Sequence, residues 1–406
     1  MLDDVAIDRL IQPVLTRQEE INAYIIQMIA KRLREIGTLL PSDIYKLDRL
    51  YRYGADIRLI NSELARLTGL QVKDIKSIIK AVALDSYIEA KPFYDYRYLS
   101  FIPFDKNKTL NNLVNAIARQ TSNTYKNLSN TKTMGFIMQD RRNPSKKIFK
   151  SFSDAYKEIM DRAVQTVSTG VEDYETVIRN TVKELSDSGV RTFMWESGYT
   201  QRTDSAVRRL VLDSVRQISQ QSQVQIGREI KADGVELTAH YNPAPDHAEL
   251  QGRVYRVEEF DNMQNERDFE DITGKHFTAI KRAIGTLNCR HLYYCVVLAS
   301  NKPKYSEEQL QKILKDNEKG YTAPNGKHYT GYECLQELNR LALKVRHAKD
   351  GQIAARKAFD TDLAKDYQRK VDRYMNDFNA FKKACGMSGT RANTTVSGYR
   401  RISTKK

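Results

Sequence analysis

Apolar residues at Leu15, Ile21, Tyr24, Ile25, Met28, Ile29 and Leu33 recur at helical spacing, which predicts a helix over 14–36. Two further helical stretches are predicted near 42–54 and 61–86. In the second, Leu64, Leu67, Val72, Ile75 and Ile78 flank Gly69, the layout of two short helices joined by a turn. That is also the layout of a helix-turn-helix, whose use would be duplex docking. An ordinary helical hairpin is the simpler reading, since one glycine between amphipathic stretches arises easily. The aromatic run Phe93, Tyr94, Tyr96, Tyr98, Phe101, Phe104 reads as an extended segment packed against helices.

A polar helix is predicted over 107–130 and a basic loop or hairpin over 131–150, with Arg141, Arg142, Lys146 and Lys147. The helical period then sharpens. Phe152, Tyr156, Ile159, Met160, Ala163 and Val167 mark one helix ending at Gly170, and Tyr174, Val177, Ile178, Val182 and Leu185 mark the next, ending near Gly189. Thr203 or Asp204 is placed to cap a third, with Val207, Leu210, Val211, Val215 and Ile218 as its buried stripe. Beyond Gly234 the period changes from helical to alternating. VELTAHY, RVYRVEEF and CVVLAS read as strands between Pro243, Pro245, Gly252, Gly274 and Gly285. After Lys304 the chain is helical again, with a Ser-capped SEEQLQKIL and two long polar helices near 329–349 and 353–384.

The expected fold is mainly α with a small α+β module. A helical N-terminal region covers 1–104 and central helices cover 105–234. These lead into a compact β-containing unit at 235–300. A basic helical region covers 301–385, and 386–406 is a disordered basic tail, rich in Ser, Thr, Gly, Lys and Arg. The length of 406 residues suits several cores. Charged residues make up 29% and the mean hydropathy is −0.60, so the helices carry solvated outer faces. No apolar run approaches the ~18 residues of a membrane span, and the acids at Asp3 and Asp4 do not suit a secretory leader. Four cysteines are too few for a disulfide framework, which suggests a cytosolic origin. The net charge of +15 points to a polyanionic partner. From Asn301 onward there are 23 Lys+Arg and 12 Asp+Glu, a balance of +11, so most of the excess lies there.

Reactive side chains are densest between 240 and 295: His240, Asp246, His247, Glu249, Asn288, Cys289, His291 and Cys295. His247, Cys289, His291 and Cys295 are suitable zinc ligands by type. However, one residue separates Cys289 from His291, about forty separate them from His247, and no second Cys pair completes the set. A histidine nuclease would want a helix after NCRH and an accompanying carboxylate pair, and neither is legible. The favoured reading is structural. His247 donates to a carbonyl, Asn288 closes a turn, and Arg290 pairs with a carboxylate such as Glu249. No catalytic residue, metal or cofactor is expected.

PAPDHAELQGRVY followed by LNCRHLYY resembles the signature of the phage minor capsid protein 2 family, itself related to head morphogenesis proteins similar to protein F of phage Mu. YETVIRNTVKELSDSGV, TDSAVRRLVLDSVRQISQQSQ and LTAHYNPAPDH agree with it upstream. The resemblance is close over 150–300 and looser elsewhere. By position, His247, Gln251, Gly252 and Tyr255 match its first motif, and Asn288, Cys289, Arg290 and His291 its second. The segment between them is charged here, where the family's is rich in Gly, Tyr and Ser. Cys295 and Val296 stand where the family has Pro-Phe. The resemblance implies a non-enzymatic structural protein of a tailed phage or prophage. Such a protein would be made in the bacterial cytoplasm and carried in the virion near the portal vertex. Its partners would be the portal protein, a major capsid or scaffold protein, and double-stranded DNA bound without sequence preference, with no membrane. Arg391, Arg400, Arg401, Lys405 and Lys406 in the tail are the expected phosphate contacts.

Overall fold

One helix feeds two hydrophobic cores. In a computed structural model of the chain, which describes residues 4–37, 53–140, 142–169, 173–193, 199–286, 289–387 and 394–404, α1 runs from Asp4 to Gly37. Its first half gives Ile7, Ile11, Val14 and Leu15 to one core, and its second half gives Ile21 to Ile36 to another. α2 (Tyr53–Glu89) does the same, with Ile60, Leu64 and Leu67 in one and Ile75 to Tyr87 in the other. It is a single helix through Gly69, not the two helices and turn that the sequence suggests. A Cβ at Gly69 would meet nothing within 4 Å, so the glycine is an exposed, tolerated position costing about 1 kcal/mol against alanine. This removes the helix-turn-helix reading of 61–86. Of the helix expected near 42–54, residues 42–52 lie outside the described residues.

The aromatic run is partly helical, as α3 (Lys91–Tyr96), and not an extended segment. Tyr87 and Phe101 stack at 4.4 Å, with Tyr94 edge-on to both. α4 (Lys108–Leu128) is capped by Asn107, whose side chain accepts from the Leu110 amide. A hairpin follows, β1 (Met134–Gln139) with β2 (Lys147–Ser151), where a loop or hairpin is expected. α5 (Phe152–Thr169) and α6 (Tyr174–Ser188) fall where the period places them. β3 (Arg191–Phe193) and β4 (Thr200–Arg202) complete a sheet of order β2-β1-β3-β4.

α7 (Thr203–Ile230) opens without a side-chain cap. Thr203 donates to Asn22 Oδ1 at 2.7 Å, and Asp204 lies between Arg202 and Arg346. Both candidate caps are therefore engaged in tying α7 to neighbouring helices. β5 (Gly234–Leu237) lies between β6 (Val254–Arg256) and β9 (Tyr293–Val296). RVYRVEEF is strand only to Arg256, where α8 (Val257–Gln264) takes over with Phe260 and Met263 buried. β7 (Phe269–Glu270) and β8 (His276–Phe277) form a hairpin in the charged stretch. This unit has its own core of Val235, Leu237, Leu250, Tyr255, Phe260, Met263, Phe269, Phe277, Ile280 and Ile284.

α9 (Glu307–Lys319) starts at a reciprocal Ser306–Gln309 cap. A short β10–β11 hairpin (Tyr321–Thr322, His328–Tyr329) leads into α10 (Gly331–Lys357) and its antiparallel partner α11 (Thr361–Ala384). The junction of these two helices, Ala354 to Tyr367, packs into the core that α1 and α6 build. The segments expected at 1–104, 105–234 and 301–385 thus share cores and do not each own one.

Residues 394–404 are not a disordered end but a strap across α10 and α11. Lys349 Nζ donates to Thr394 O at 2.7 Å and Gln352 Nε2 to Arg400 O at 2.7 Å. Gln368 Oε1 accepts from Tyr399 Oη and from the Ile402 amide, both at 3.1 Å. Val396 is buried and Ile402 packs against the core. Two apolar anchors and two buried glutamines hold a segment whose composition alone looks unstructured.

Candidate functional site: a buried His-Cys-His cluster

The cluster is assembled by strand order. β5 is central, so the chain leaving it and the chain entering β9 emerge side by side. Thr238 and Leu292 close that end, with Thr238 N donating to Leu292 O and Leu292 N to Thr238 Oγ1, both at 2.9 Å. One step beyond, His240 and His291 stack with ring centroids 4.5 Å apart. The 3-10 turn Pro245–His247 brings His247 edge-on to His291, centroids 5.4 Å apart. Cys289 Sγ lies between them, 3.5 Å from His247 Nδ1 and 3.4 Å from His291 Nδ1. All three side chains are buried.

The outer ring nitrogens are fixed by acceptors. His247 Nε2 lies 2.8 Å from Arg282 O, the carbonyl contact expected of it. His291 Nε2 lies 3.1 Å from Gln251 Oε1, which also accepts from the His240 amide at 2.9 Å. The backbone donor at His240 fixes which end of the Gln251 amide is oxygen, so His291 Nε2 is the protonated nitrogen. Both imidazoles are therefore Nε2–H tautomers with their Nδ1 lone pairs toward the sulfur. Burial keeps both rings neutral by lowering their pKa, and neighbouring imidazoles and Arg282 add to this at His291. Burial also pushes the Cys289 thiol up. Arg216 Nη1 fixes the segment by donating to Cys289 O at 2.7 Å.

Around this centre the other motif residues build the frame. Gly252 has φ +70°, and a Cβ there would lie 2.4 Å from Leu310 Cδ2, so the turn before β6 needs glycine on both counts. Tyr255 is buried, donates to Leu250 O at 2.7 Å and meets Phe269 edge-on. Arg290 is half-buried, and Asn288 lies outside the described residues. The Glu249 carboxylate, expected beside Arg290, meets Lys275 Nζ at 3.4 Å. The buried guanidinium that clamps this unit is instead Arg253, bonded to Asp271 Oδ2, Glu307 Oε1 and Glu249 O, each at 2.9 Å. The sequence signal for it was available as the basic position following Gln251-Gly252. Cys295 does not join the cluster, since its Sγ would be 2.8 Å from a Cβ at Gly227 on α7.

Of the tail residues, Arg400 and Arg401 are exposed, and Arg401 Nη2 lies 3.3 Å from Asp372 Oδ1. Arg391, Lys405 and Lys406 lie outside the described residues. Among the described residues no helix is long and apolar enough to cross a membrane. The four cysteines are free thiols.

No curated protein and no solved structure matches the chain. A family profile does, across nearly all of the sequence and through both motifs: the one described as Phage minor capsid protein 2, over residues 2–382. The chain belongs to the phage minor capsid protein 2 family.

Proposed function

We propose that this protein is a structural, non-enzymatic component of a tailed-phage or prophage head. In this reading it sits near the portal vertex, between the portal protein and the major capsid or scaffold protein, and lays basic side chains against packaged double-stranded DNA. It is made in the bacterial cytoplasm and carried into the virion. Membership of a minor capsid family supports the virion role.

The observation that carries the DNA contact is where the strap puts its arginines. Gln368 and Asp372 of α11 hold Tyr399 and Arg401. One residue further round that helix, Arg373 and Arg369, the latter paired with Asp366, are exposed, with Lys370 beside them in sequence. Arg400 and Arg401 therefore extend a cationic helix face, in the part of the chain that holds most of the +15 net charge. Such a face neutralises phosphates without reading bases, so binding falls steeply with salt, by a log–log slope of about −0.9 per phosphate contacted.

Two measurements test this. Cryo-electron microscopy of virions from the cognate phage is expected to place the polypeptide against the portal, and virions without it overturn the role. Duplex binding across a salt series is expected to show a steep slope that flattens in Arg369→Ala/Arg373→Ala/Arg400→Ala/Arg401→Ala. Binding that is absent at low salt, or unchanged in that variant, removes the DNA contact.

A further inference from the structure

The His-Cys-His cluster has one proton too few for its geometry. Arg282 O and Gln251 Oε1 take the Nε2 hydrogens, so two Nδ1 lone pairs converge on a single thiol. The thiol has one hydrogen and satisfies one of them. The other lone pair then faces sulfur with no hydrogen between, inside a core where an unpaired acceptor is destabilising.

We infer that His247 Nδ1, Cys289 Sγ and His291 Nδ1 are the protein ligands of a single divalent transition-metal ion of the zinc class. The cation supplies what the hydrogen count lacks. It accepts both lone pairs, and the thiol proton leaves to solvent as the thiolate binds. The spacing fits. For Zn–S near 2.3 Å and Zn–N near 2.05 Å, tetrahedral coordination puts sulfur and nitrogen about 3.6 Å apart. The two Sγ···Nδ1 separations are 3.5 and 3.4 Å, and the three ligand atoms lie within 4.8 Å of one another. A thiolate with two imidazoles selects a borderline ion such as zinc over magnesium or calcium, which want oxygen.

The surroundings have the form of a metal site's support. Each imidazole's remote N–H is held by an acceptor, which fixes the tautomer and the ring orientation. The Gln251 side chain is 2% exposed, and its Nε2 has no partner among the described residues, which leaves a donor beside the cluster. The protein supplies three ligands, and the fourth position falls to a water or a small anion. Bound this way, the ion joins the Pro245–His247 turn to the lead-in of β9, closing a 42-residue separation.

The test uses the full chain, dialysed against a chelator and titrated with Co²⁺. The expected result is a sulfur-to-cobalt charge-transfer band with tetrahedral ligand-field absorption, saturating at one ion per chain and bleached by Zn²⁺. Cys289→Ser is expected to lose the charge-transfer band. Cys385→Ser is expected to keep it, which separates this site from the Cys334 and Cys385 thiols, which hydrogen-bond to each other. If Cys289→Ser does not fold by circular dichroism, alkylation of the unaltered protein replaces it, with Zn²⁺ expected to slow labelling of Cys289 at least tenfold. A folded protein with no such band, a band that survives Cys289→Ser, or labelling of Cys289 indifferent to Zn²⁺ overturns the inference.

Discussion

Arg253 Nη1 and Asp271 Oδ2 meet at 2.9 Å with their side chains only 5% and 2% exposed, so the small β unit is braced by an ion pair inside its own wall. Asp271 Oδ1 in turn accepts from the amides of Thr273 and Lys275, which shapes the β7–β8 turn. Removing one partner strands the other. Arg253→Met is expected to destabilise the protein by about 3–5 kcal/mol, because Asp271 is left buried and charged. Arg253→Lys should recover little, since an ammonium lacks the fork that reaches Asp271, Glu307 and Glu249 together. Urea unfolding checks this; a loss under about 1 kcal/mol for Arg253→Met would mean that the pair is not what holds the turn.

Glu19 of α1 is buried near Arg346, Asp204, Asp350 and Arg202, and burial raises its carboxyl pKa to about 8. The folded state therefore keeps a proton that the unfolded chain gives up near pH 4.5. Stability associated with that proton is present below pH 4.5 and is lost as pH rises towards 8. Glu19→Gln is expected to stabilise the protein at pH 8.5, by at most about 5 kcal/mol, and to change little at pH 4. Equal effects at both values in denaturant titrations would contradict a displaced Glu19.

Gly351 sets the crossing of α10 and α11. A Cβ there would lie 2.3 Å from the ring of Tyr367, which is buried and fills the space a side chain would take. Gly351→Ala gains helix propensity of about 1 kcal/mol but forces the ring aside. Overpacking of this kind costs about 1–3 kcal/mol, so a net loss is expected. A rise in melting temperature would show that the helices separate freely.

Gln368 joins the strap to α11 through Tyr399 and Ile402. Gln368→Ala is expected to release residues 394–404 without unfolding the helices, at about 1–2 kcal/mol. Limited trypsin digestion reads this directly as faster cleavage after Arg400 and Arg401. Unchanged cleavage rates would mean that Val396 and Ile402 hold the strap unaided.

Much of the helical frame was legible because burial follows a period. Ile159 and Met160 of α5, Val177 and Ile178 of α6, and Val211 and Val215 of α7 all face a core as their spacing requires. Three features were not legible, each for a physical reason. Gly69 looked like a break because propensity is read locally, whereas α2 is held by contacts with α1, α4 and α7 that sequence spacing does not show. Val257–Gln264 alternates at its start like a strand, and only its packing through Phe260 and Met263 makes it a helix. The strap looked disordered because its anchors, Val396, Tyr399 and Ile402, are sparse among polar residues.

The candidate site divides in the same way. His247, Cys289 and His291 were recognisable as reactive types, and their motif was readable in order. Their meeting was not, because the 42-residue separation is closed by β6-β5-β9 pairing, a property of topology and not of spacing. Cys295 lies close to them in sequence, but the strand carries its sulfur to the side facing α7.

Because α1 lends Ile7 to Leu15 to one core and Ile21 to Ile36 to the other, and α2 likewise contributes to both, the two halves of the helical body are spliced by two shared helices. Loosening either core frees one end of both helices, so the two halves are expected to melt together in a single calorimetric transition.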